Sequence, residues 1–301
     1  MKKGLFAVLL ILLLTVTGCG RKEQVGICLR QGDNEMTSQL EISLKEHFQT
    51  LGYAVTVHDA VNDQSRQNSQ ITRAVEAGCQ LLIVEPVMTA AAEEILTQTK
   101  LAAVPVIFVN YEPESAVLDS WEMAYYIGSD LTAPGHLQNR LVQQLPDGGD
   151  RNGDGSVAYT VIGGPKDHVD AVRWTQDCGS GFLRLAAEHG DWSRDSGRAL
   201  CRRQLARFGD TVDVIFCNSD ELALGALEAL QSEEKEAYLI GIGGNSEMLQ
   251  QIQVGAATGT VCPDVKGLAQ CIADSAMSVL NGNTVPKTQR LDFLMVTKDA
   301  I

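Results

Sequence analysis

The sequence predicts an α/β protein, doubly wound, with its parallel strands divided between two lobes. Three observations carry that expectation. Short apolar runs alternate with amphipathic stretches along the whole chain. The runs are apolar throughout, as strands covered by helices on both faces are. Ten such runs are too many for one sheet with crossovers this short.

In chain order, a strand at residues 25–29 precedes a helix at 36–51, and a strand at 54–58 precedes a helix at 64–77. Next come a strand at 81–84, a helix at 89–101, and strands at 105–110 and 124–127. A helix at 132–145 leads to a strand at 157–162 and to helices at 169–188 and 193–207. The remaining strands are 212–217, 238–241, 259–261 and 291–296, with helices at 220–231, 247–254 and 265–280. No Pro/Ser-rich linker separates the lobes, so short strand-like segments must join them, leaving a cleft. Ligands of open α/β sheets sit beyond the carboxyl ends of the strands. Polar residues follow several strands there: Asp33 and Asn34, Glu85, Asn110, Asp167, Asn218 and Asp220, Asn245 and Asp264. Such residues also cap the next helix, and capping alone is expected of Asp220 and Asn245.

Met1-Lys2-Lys3 and the apolar run 5–14 form a secretory signal, too short for an ordinary membrane span. Val16-Thr17-Gly18-Cys19 resembles the lipobox of bacterial lipoproteins, with Val16 where Leu is usual. The expectation is a signal peptide at 1–18, lipidation at Cys19 and a polar tether at 19–24, which places the protein on the extracytoplasmic face of the membrane. The formal net charge of −14 becomes two more negative when Lys2 and Lys3 leave. An acidic surface argues against nucleic acid and anionic membranes as partners. Beyond Cys19 stand Cys28, Cys79, Cys178, Cys201, Cys217, Cys262 and Cys271. An odd number without CxxC spacing argues against a disulfide framework or a zinc site, so most are expected to be buried free thiols.

The loop Asp150-Arg151-Asn152-Gly153-Asp154-Gly155-Ser156 places oxygen-bearing side chains at alternate positions before a glycine. That is the front half of an EF-hand calcium loop. The twelfth position, where a bidentate Glu belongs, is Val161 in a strand-like run. The missing carboxylate must come from elsewhere, or the loop is an acidic turn without metal. No G-x-S-x-G elbow, P-loop or HExxH motif is present, and Gly241-Ile242-Gly243-Gly244-Asn245 lacks the third glycine of a dinucleotide fingerprint. No nucleophile stands with Asp167, His168 and Asp170, so an enzyme is not expected.

Four segments resemble the galactose/glucose-binding periplasmic proteins. They are Asn62-Asp63-Gln64-Ser65-Arg66-Gln67-Asn68-Ser69-Gln70-Ile71, Phe108-Val109-Asn110-Tyr111-Glu112-Pro113, Ala124-Tyr125-Tyr126-Ile127-Gly128-Ser129-Asp130 and Asn218-Ser219-Asp220-Glu221-Leu222-Ala223-Leu224-Gly225-Ala226. The similarity runs from about residue 25 to 301. It implies the type I periplasmic-binding-protein fold with a three-segment hinge. The N-terminal lobe would take 25–129 and 264–286, the C-terminal lobe 130–263 and 287–301. It implies a sugar in the cleft, hinge closure around it, delivery to an ABC permease in the membrane, and in some members a chemoreceptor as partner. A monomer is expected.

The resemblance also implies a structural calcium ion held by Asp150, Asn152, Asp154, the Ser156 carbonyl and Asp213. The family's ninth-position ligand falls on Ala158, and Asp213 is one methylene shorter than the family's Glu, so a weakened site is expected. For the ligand it implies Asp33, Asn110 and Arg173 as polar anchors and Trp192 as one stacking aromatic. The second aromatic falls on Glu35 or Met36, and the family's Tyr in the first loop on Arg30 or Leu29. The family's pocket His matches Asp167 in an ungapped register, with Val169 in place of its nearby Asp. A one-residue shift offers His168 or Asp170. Ser219 stands for a pocket Asn, Gly243 for a pocket Asp and Pro263 for another Asn. Asp264, Asn218, Asn34 and Tyr111 are the compensating candidates. The expected ligand is therefore small and hydroxyl-rich, without commitment to galactose or glucose. The alternatives are a sensory protein reporting to a membrane receptor or kinase, and a degenerate paralogue that binds poorly.

Overall fold

Runs such as Leu-Leu-Ile-Val at 81–84 and Val-Ile-Phe-Val at 106–109 are buried along their whole length, and helices on both faces are what bury them. The computed structural model describes residues 24–31 and 35–301. The signal segment, Cys19, Asp33 and Asn34 lie outside the described residues.

The first lobe contains β1 (Gln24–Leu29), α1 (Glu35–Thr50), β2 (Ala54–Asp59), α2 (Gln64–Glu76) and β3 (Leu81–Val84). It continues with α3 (Ala92–Ala102), β4 (Val106–Val109), α4 (Ser115–Asp119) and β5 (Ala124–Ser129). The chain then crosses to α5 (Pro134–Gln143), β6 (Ala158–Gly163), α6 (Val169–Asp177), β7 (Leu183–His189), α7 (Arg194–Phe208) and β8 (Val214–Cys217). It follows with α8 (Asp220–Ser232), β9 (Tyr238–Ile242), α9 (Ser246–Gln253) and β10 (Gly259–Pro263), and returns to the first lobe with α10 (Val265–Leu280) and β11 (Thr288–Leu291). Finally β12 (Phe293–Thr297) rejoins the second lobe.

The strand orders are β11-β5-β4-β3-β1-β2 and β12-β10-β9-β8-β6-β7. All pairings are parallel except β10 with β12. Both sheets therefore reverse direction at one equivalent place, between β1 and β3 and between β6 and β8, and that switch point is where a doubly wound sheet opens a crevice. In the first lobe α1 and α10 cover one face through Leu40, Leu44, Phe48, Leu268 and Ile272. Ile71, Ile95, Leu96, Phe108 and Tyr126 fill the other. In the second lobe α7 and α8 pack on one face and α5 on the other.

Two expectations are corrected. The single strand at 291–296 is two strands in different sheets, divided at Asp292. Thr288–Leu291 pairs with β5, so the third crossing lies after Leu291 and not at 287. The helix expected over 169–188 ends at Asp177, and residues 183–189 form edge strand β7 beside β6. Gly179 and Gly181 both adopt positive φ, 70° and 87°, a conformation that ends a helix cheaply only at glycine. The Gly-Ser-Gly run was the available signal. No helix among the described residues is long and apolar enough to cross a membrane.

Candidate functional site

Segments that follow the carboxyl ends of β1 and β9 bring the two lobes into contact. Glu35 at the start of α1 accepts the Ser246 N–H of α9 at 3.4 Å. The Asp130 N–H donates to the Leu291 carbonyl at 2.8 Å, tying two of the three crossing segments together.

On the first-lobe wall, Glu85 follows β3 at the switch point and is 4 % exposed. Its carboxylate accepts the Arg30 N–H at 3.2 Å and the Asn110 Nδ2–H at 2.9 Å. Burial pushes the Glu85 carboxyl up, against the pull of those two donors. Asn110 sits at φ 61°, a left-handed conformation that Asn tolerates better than most residues. With Nδ2 fixed on Glu85, Asn110 Oδ1 has no protein donor among the described residues. The Arg30 side chain donates to Asn62 at 2.8 Å and lies over the Tyr111 ring at 4.9 Å. Glu112 and Arg290 form a two-point ion pair at 3.1 and 2.5 Å. At the hinge, hydrogen bonds from Thr132 hold the Asp130 carboxyl below the usual range, aided by the charges of Arg290 and Arg173.

The second-lobe wall repeats the plan with different chemistry. Asn218 follows β8 and is 1 % exposed. Its Oδ1 accepts the Gly164 N–H at 3.1 Å and the Thr175 hydroxyl at 3.0 Å, the counterpart of Glu85 receiving Arg30. Trp192 lies so close to Gly164 that any Cβ there would overlap the indole. His168 meets the indole edge-on, with centroids 5.1 Å apart. Of the register alternatives, it is thus His168 that stands beside Trp192; Asp167 is exposed, and Asp170 lies 3.8 Å from Arg173. His168 also caps α6, accepting the Ala171 N–H at 3.4 Å.

Other candidates are committed to folding. Ser219 caps α8 through the Leu222 N–H at 3.2 Å, and Asp264 caps α10 through the Gly267 N–H at 2.9 Å. Asn245 caps α9, as expected of it. Asp220 is not a cap. Its buried carboxylate accepts the Gly244 and Asn245 N–H groups at 2.5 and 2.8 Å and the Thr260 hydroxyl at 2.6 Å, joining α8 to β10 and the loop after β9. Burial raises its pKa against these donors. Sequence reasoning missed this role because the partners lie 24 to 40 positions away.

The loop 150–156 is wound on its own side chains. Asp150 accepts the N–H groups of Gly153, Asp154 and Gly155 at 2.9–3.1 Å. Asn152 and Asp154 each accept an N–H two residues on. Asp213, fully buried, comes from 61 positions beyond Asn152 to accept its N–H at 3.0 Å and that of Ala158 at 2.8 Å. No group of three His, Cys, Asp or Glu side chains able to hold a metal occurs among the described residues. Asp213 meets the loop through backbone amides.

The seven cysteines beyond Cys19 are free, five of them buried. Burial pushes the Cys28, Cys178 and Cys201 thiols up to about 12, so at neutral pH they are inert apolar filling.

The sequence pattern of the family described as "Periplasmic binding protein domain" matches residues 25–284. The D-galactose/methyl-galactoside binding periplasmic protein MglB of Haemophilus influenzae is 26 % identical over 92 % of this chain and 90 % of its own. A putative rhizopine-binding protein of Rhizobium meliloti is also 26 % identical, over 94 % and 93 %. Among solved structures, an ABC transporter solute binding protein from Bacillus halodurans with bound myo-inositol superposes with a TM-score of 0.71, at 22 % identity, covering 94 % of this chain and 97 % of that one.

Proposed function

The chain belongs to the periplasmic binding protein domain family, and from that premise we propose that it is the substrate-binding component of a sugar-type ABC importer. It captures a small, hydroxyl-rich molecule between its lobes and presents the closed form to a membrane permease. What supports this reading is a polar group fixed at a first-lobe strand end, Asn110 on Glu85, and an aromatic one packed at a second-lobe strand end, Trp192 on Gly164. Asn110, oriented by Glu85, offers an acceptor to a hydroxyl. Arg173 supplies a fork of donors near the hinge, and Trp192 offers a π face to the C–H bonds of a ring. Asp33, which follows β1 in the sequence, is carried into the polar set by the resemblance alone. No step makes or breaks a covalent bond.

Isothermal titration of the mature chain against a panel of monosaccharides and inositols tests the assignment. Binding by at least one of them is expected, and silence across the panel rejects it. Anchorage through a lipid on Cys19 belongs to the same reading. Cys19→Ser should release the protein from the membrane fraction into the soluble one, and retention of the variant would remove the anchor.

A calcium ion in the second lobe is also part of the proposal. The side-chain oxygens of Asp150, Asn152 and Asp154 and the Ser156 carbonyl suit a hard cation. A carboxylate oxygen that accepts one N–H keeps a second lone pair for a metal, which leaves Asp150 and Asp213 able to contribute. Bound there, calcium supplies no chemistry to the ligand site; it cross-links the loop to the segment before β8.

A further inference from the structure

On the outer flank of the second lobe we propose a second binding site, for a small organic anion that carries a phosphate monoester or a carboxylate. A cavity of about 560 Å³ opens there between α6 and edge strand β7, and its lining includes Lys166, Thr175, Gln176, Arg184, Ala187 and His189. Pockets of roughly 300–1,000 Å³ take small organic ligands. The hollow has a structural cause. The order β6-α6-β7 repeats the order β1-α1-β2 of the first lobe, and each ends in an edge strand. Helix α1 runs for 16 residues, and its Leu44 and Phe48 share an apolar cluster with Val55 and Val57 of β2. Helix α6 stops after 9. Among the described residues, no side chain of β7 joins the apolar cluster on that face. The cavity is the space that the short helix leaves over β7.

Its lining is cationic by design of the strand. Side chains alternate along a strand, so Arg184 and His189 would ordinarily face opposite ways. A bulge at Leu185, which has no partner in β6, brings them to one face. Arg184, Ala187 and His189 then pair with Tyr159, Val161 and Gly163. Neither Lys166 nor Arg184 has an ion-pair partner among the described residues, and no carboxylate lines the cavity. The carboxylates of the flanking segments are placed elsewhere: Asp170 lies near Arg173, Asp177 near His136 and Glu188 on Arg203. Asp167, next to Lys166, is exposed and outside the lining. In a chain of formal net charge −14, an unpaired lysine and arginine at one hollow make a local positive field that draws anions.

Arg184 offers a planar fork of donors to two oxygens of one oxyacid group, and Lys166 adds a point charge. His189 Nδ1 lies 2.9 Å from the Gly164 carbonyl oxygen. A carbonyl only accepts, so Nδ1 carries the hydrogen, and Nε2 of the neutral ring is left as an acceptor for a hydroxyl. The cavity is separate from the indole read as the sugar platform. A Cβ on Gly163 would overlap the His189 ring and come within 3.1 Å of Thr175 Oγ1, whereas one on Gly164 would overlap Trp192. His189 and Trp192 therefore stand on opposite sides of the end of β6, and an anion beside His189 does not compete with a ring stacked on Trp192.

Titration of the mature chain at low ionic strength with glucose 6-phosphate, D-glucuronate, citrate and inorganic phosphate tests the site. At least one organic anion should bind, at least roughly tenfold tighter than inorganic phosphate, and more weakly as salt is added. Silence from all three organic anions, or a smaller margin over inorganic phosphate, overturns the proposal. Arg184→Gln and Lys166→Gln remove exposed charges and should each weaken the bound anion by roughly tenfold or more. A smaller loss in either variant overturns it. Trp192→Ala should leave the anion's affinity unchanged, and a loss there overturns the proposal by placing the anion in the cleft. Sugar capture is read from neutral monosaccharides, so it stands or falls separately.

Discussion

Glu85 is a carboxylate held away from water in order to orient Asn110, and that placement leaves a signature in pH. Its folded pKa is raised by burial. A carboxyl of this kind holds its proton more readily in the folded state than in the unfolded one. Its contribution to stability is therefore complete below the unfolded value and is lost as pH rises through the folded one. Glu85→Gln removes the titration. The melting-temperature advantage of the parent over this variant should be widest at pH below the ordinary carboxylate range and shrink as pH rises above it; a gap that is flat or grows with pH contradicts the assignment. Asp213 is a buried acceptor for two backbone amides. Asp213→Ala leaves the N–H groups of Asn152 and Ala158 unpaired and should cost on the order of 3 kcal/mol in chelator. The parent should melt higher in calcium than in chelator, by a margin that the variant loses; no difference for the parent sinks the metal. Asn110 and Trp192 came from the resemblance; the fold places Asn110 just after β4 and Trp192 just after β7. Whether Asp167 or His168 faces the indole was not legible. That depends on how tightly the chain turns after Gly164, and only the packed Trp192 ring settles it.

Among the elements, α7 and α8 make the closest approach between helices, and two glycines permit it. A Cβ on Gly225 would overlap the Arg194 carbonyl oxygen and come within 2.7 Å of the Arg198 N, while one on Gly197 would overlap the Leu222 carbonyl oxygen. These neighbours are backbone, which cannot swing aside as a flexible side chain can. Gly225→Ala gains about 1 kcal/mol of helix propensity but must part the two helices, so a net loss of about 1–3 kcal/mol is expected. The urea midpoint measures it, and a variant as stable as the parent would show that the helices do not meet so closely. Most elements could be read from periodicity, since a run such as Val-Ile-Phe-Cys at 214–217 has few other places to go. β7 could not. Its Leu-Arg-Leu-Ala-Ala-Glu-His is half-exposed at a sheet edge and has the composition of a good helix, so the Gly179-Ser180-Gly181 break decides its state. The division at Asp292 was hidden for a related reason. β11 and β12 are each four or five residues long, and only their pairing partners reveal that they serve different sheets.

For the whole molecule, the interlaced path of the chain constrains how it responds to a ligand. The first lobe needs α10 and β11, which arrive only after the second lobe's five parallel strands have been laid down, and β12 closes the second lobe after both. Three short crossings and a few contacts, such as Glu35 with Ser246, connect two cores that are otherwise separate. Hinge motion is therefore cheap, while independent folding of either lobe is not, because each depends on chain segments beyond the other. A molecule bound between the walls stabilises the folded state through both lobes at once. At a free concentration one hundred times Kd the gain is about 2.7 kcal/mol, which for a chain of this length moves the melting temperature by about 5–10 °C. The shift should appear in a single cooperative transition, followed by near-ultraviolet circular dichroism for Trp192 and by hydrogen exchange for the amides of β3 and β8. If the ligand raised the protection of β8 alone and left β3 unchanged, the cleft reading would fail, because binding would be confined to one lobe. Protection rising together in both strands requires a ligand that holds the two sheets against each other.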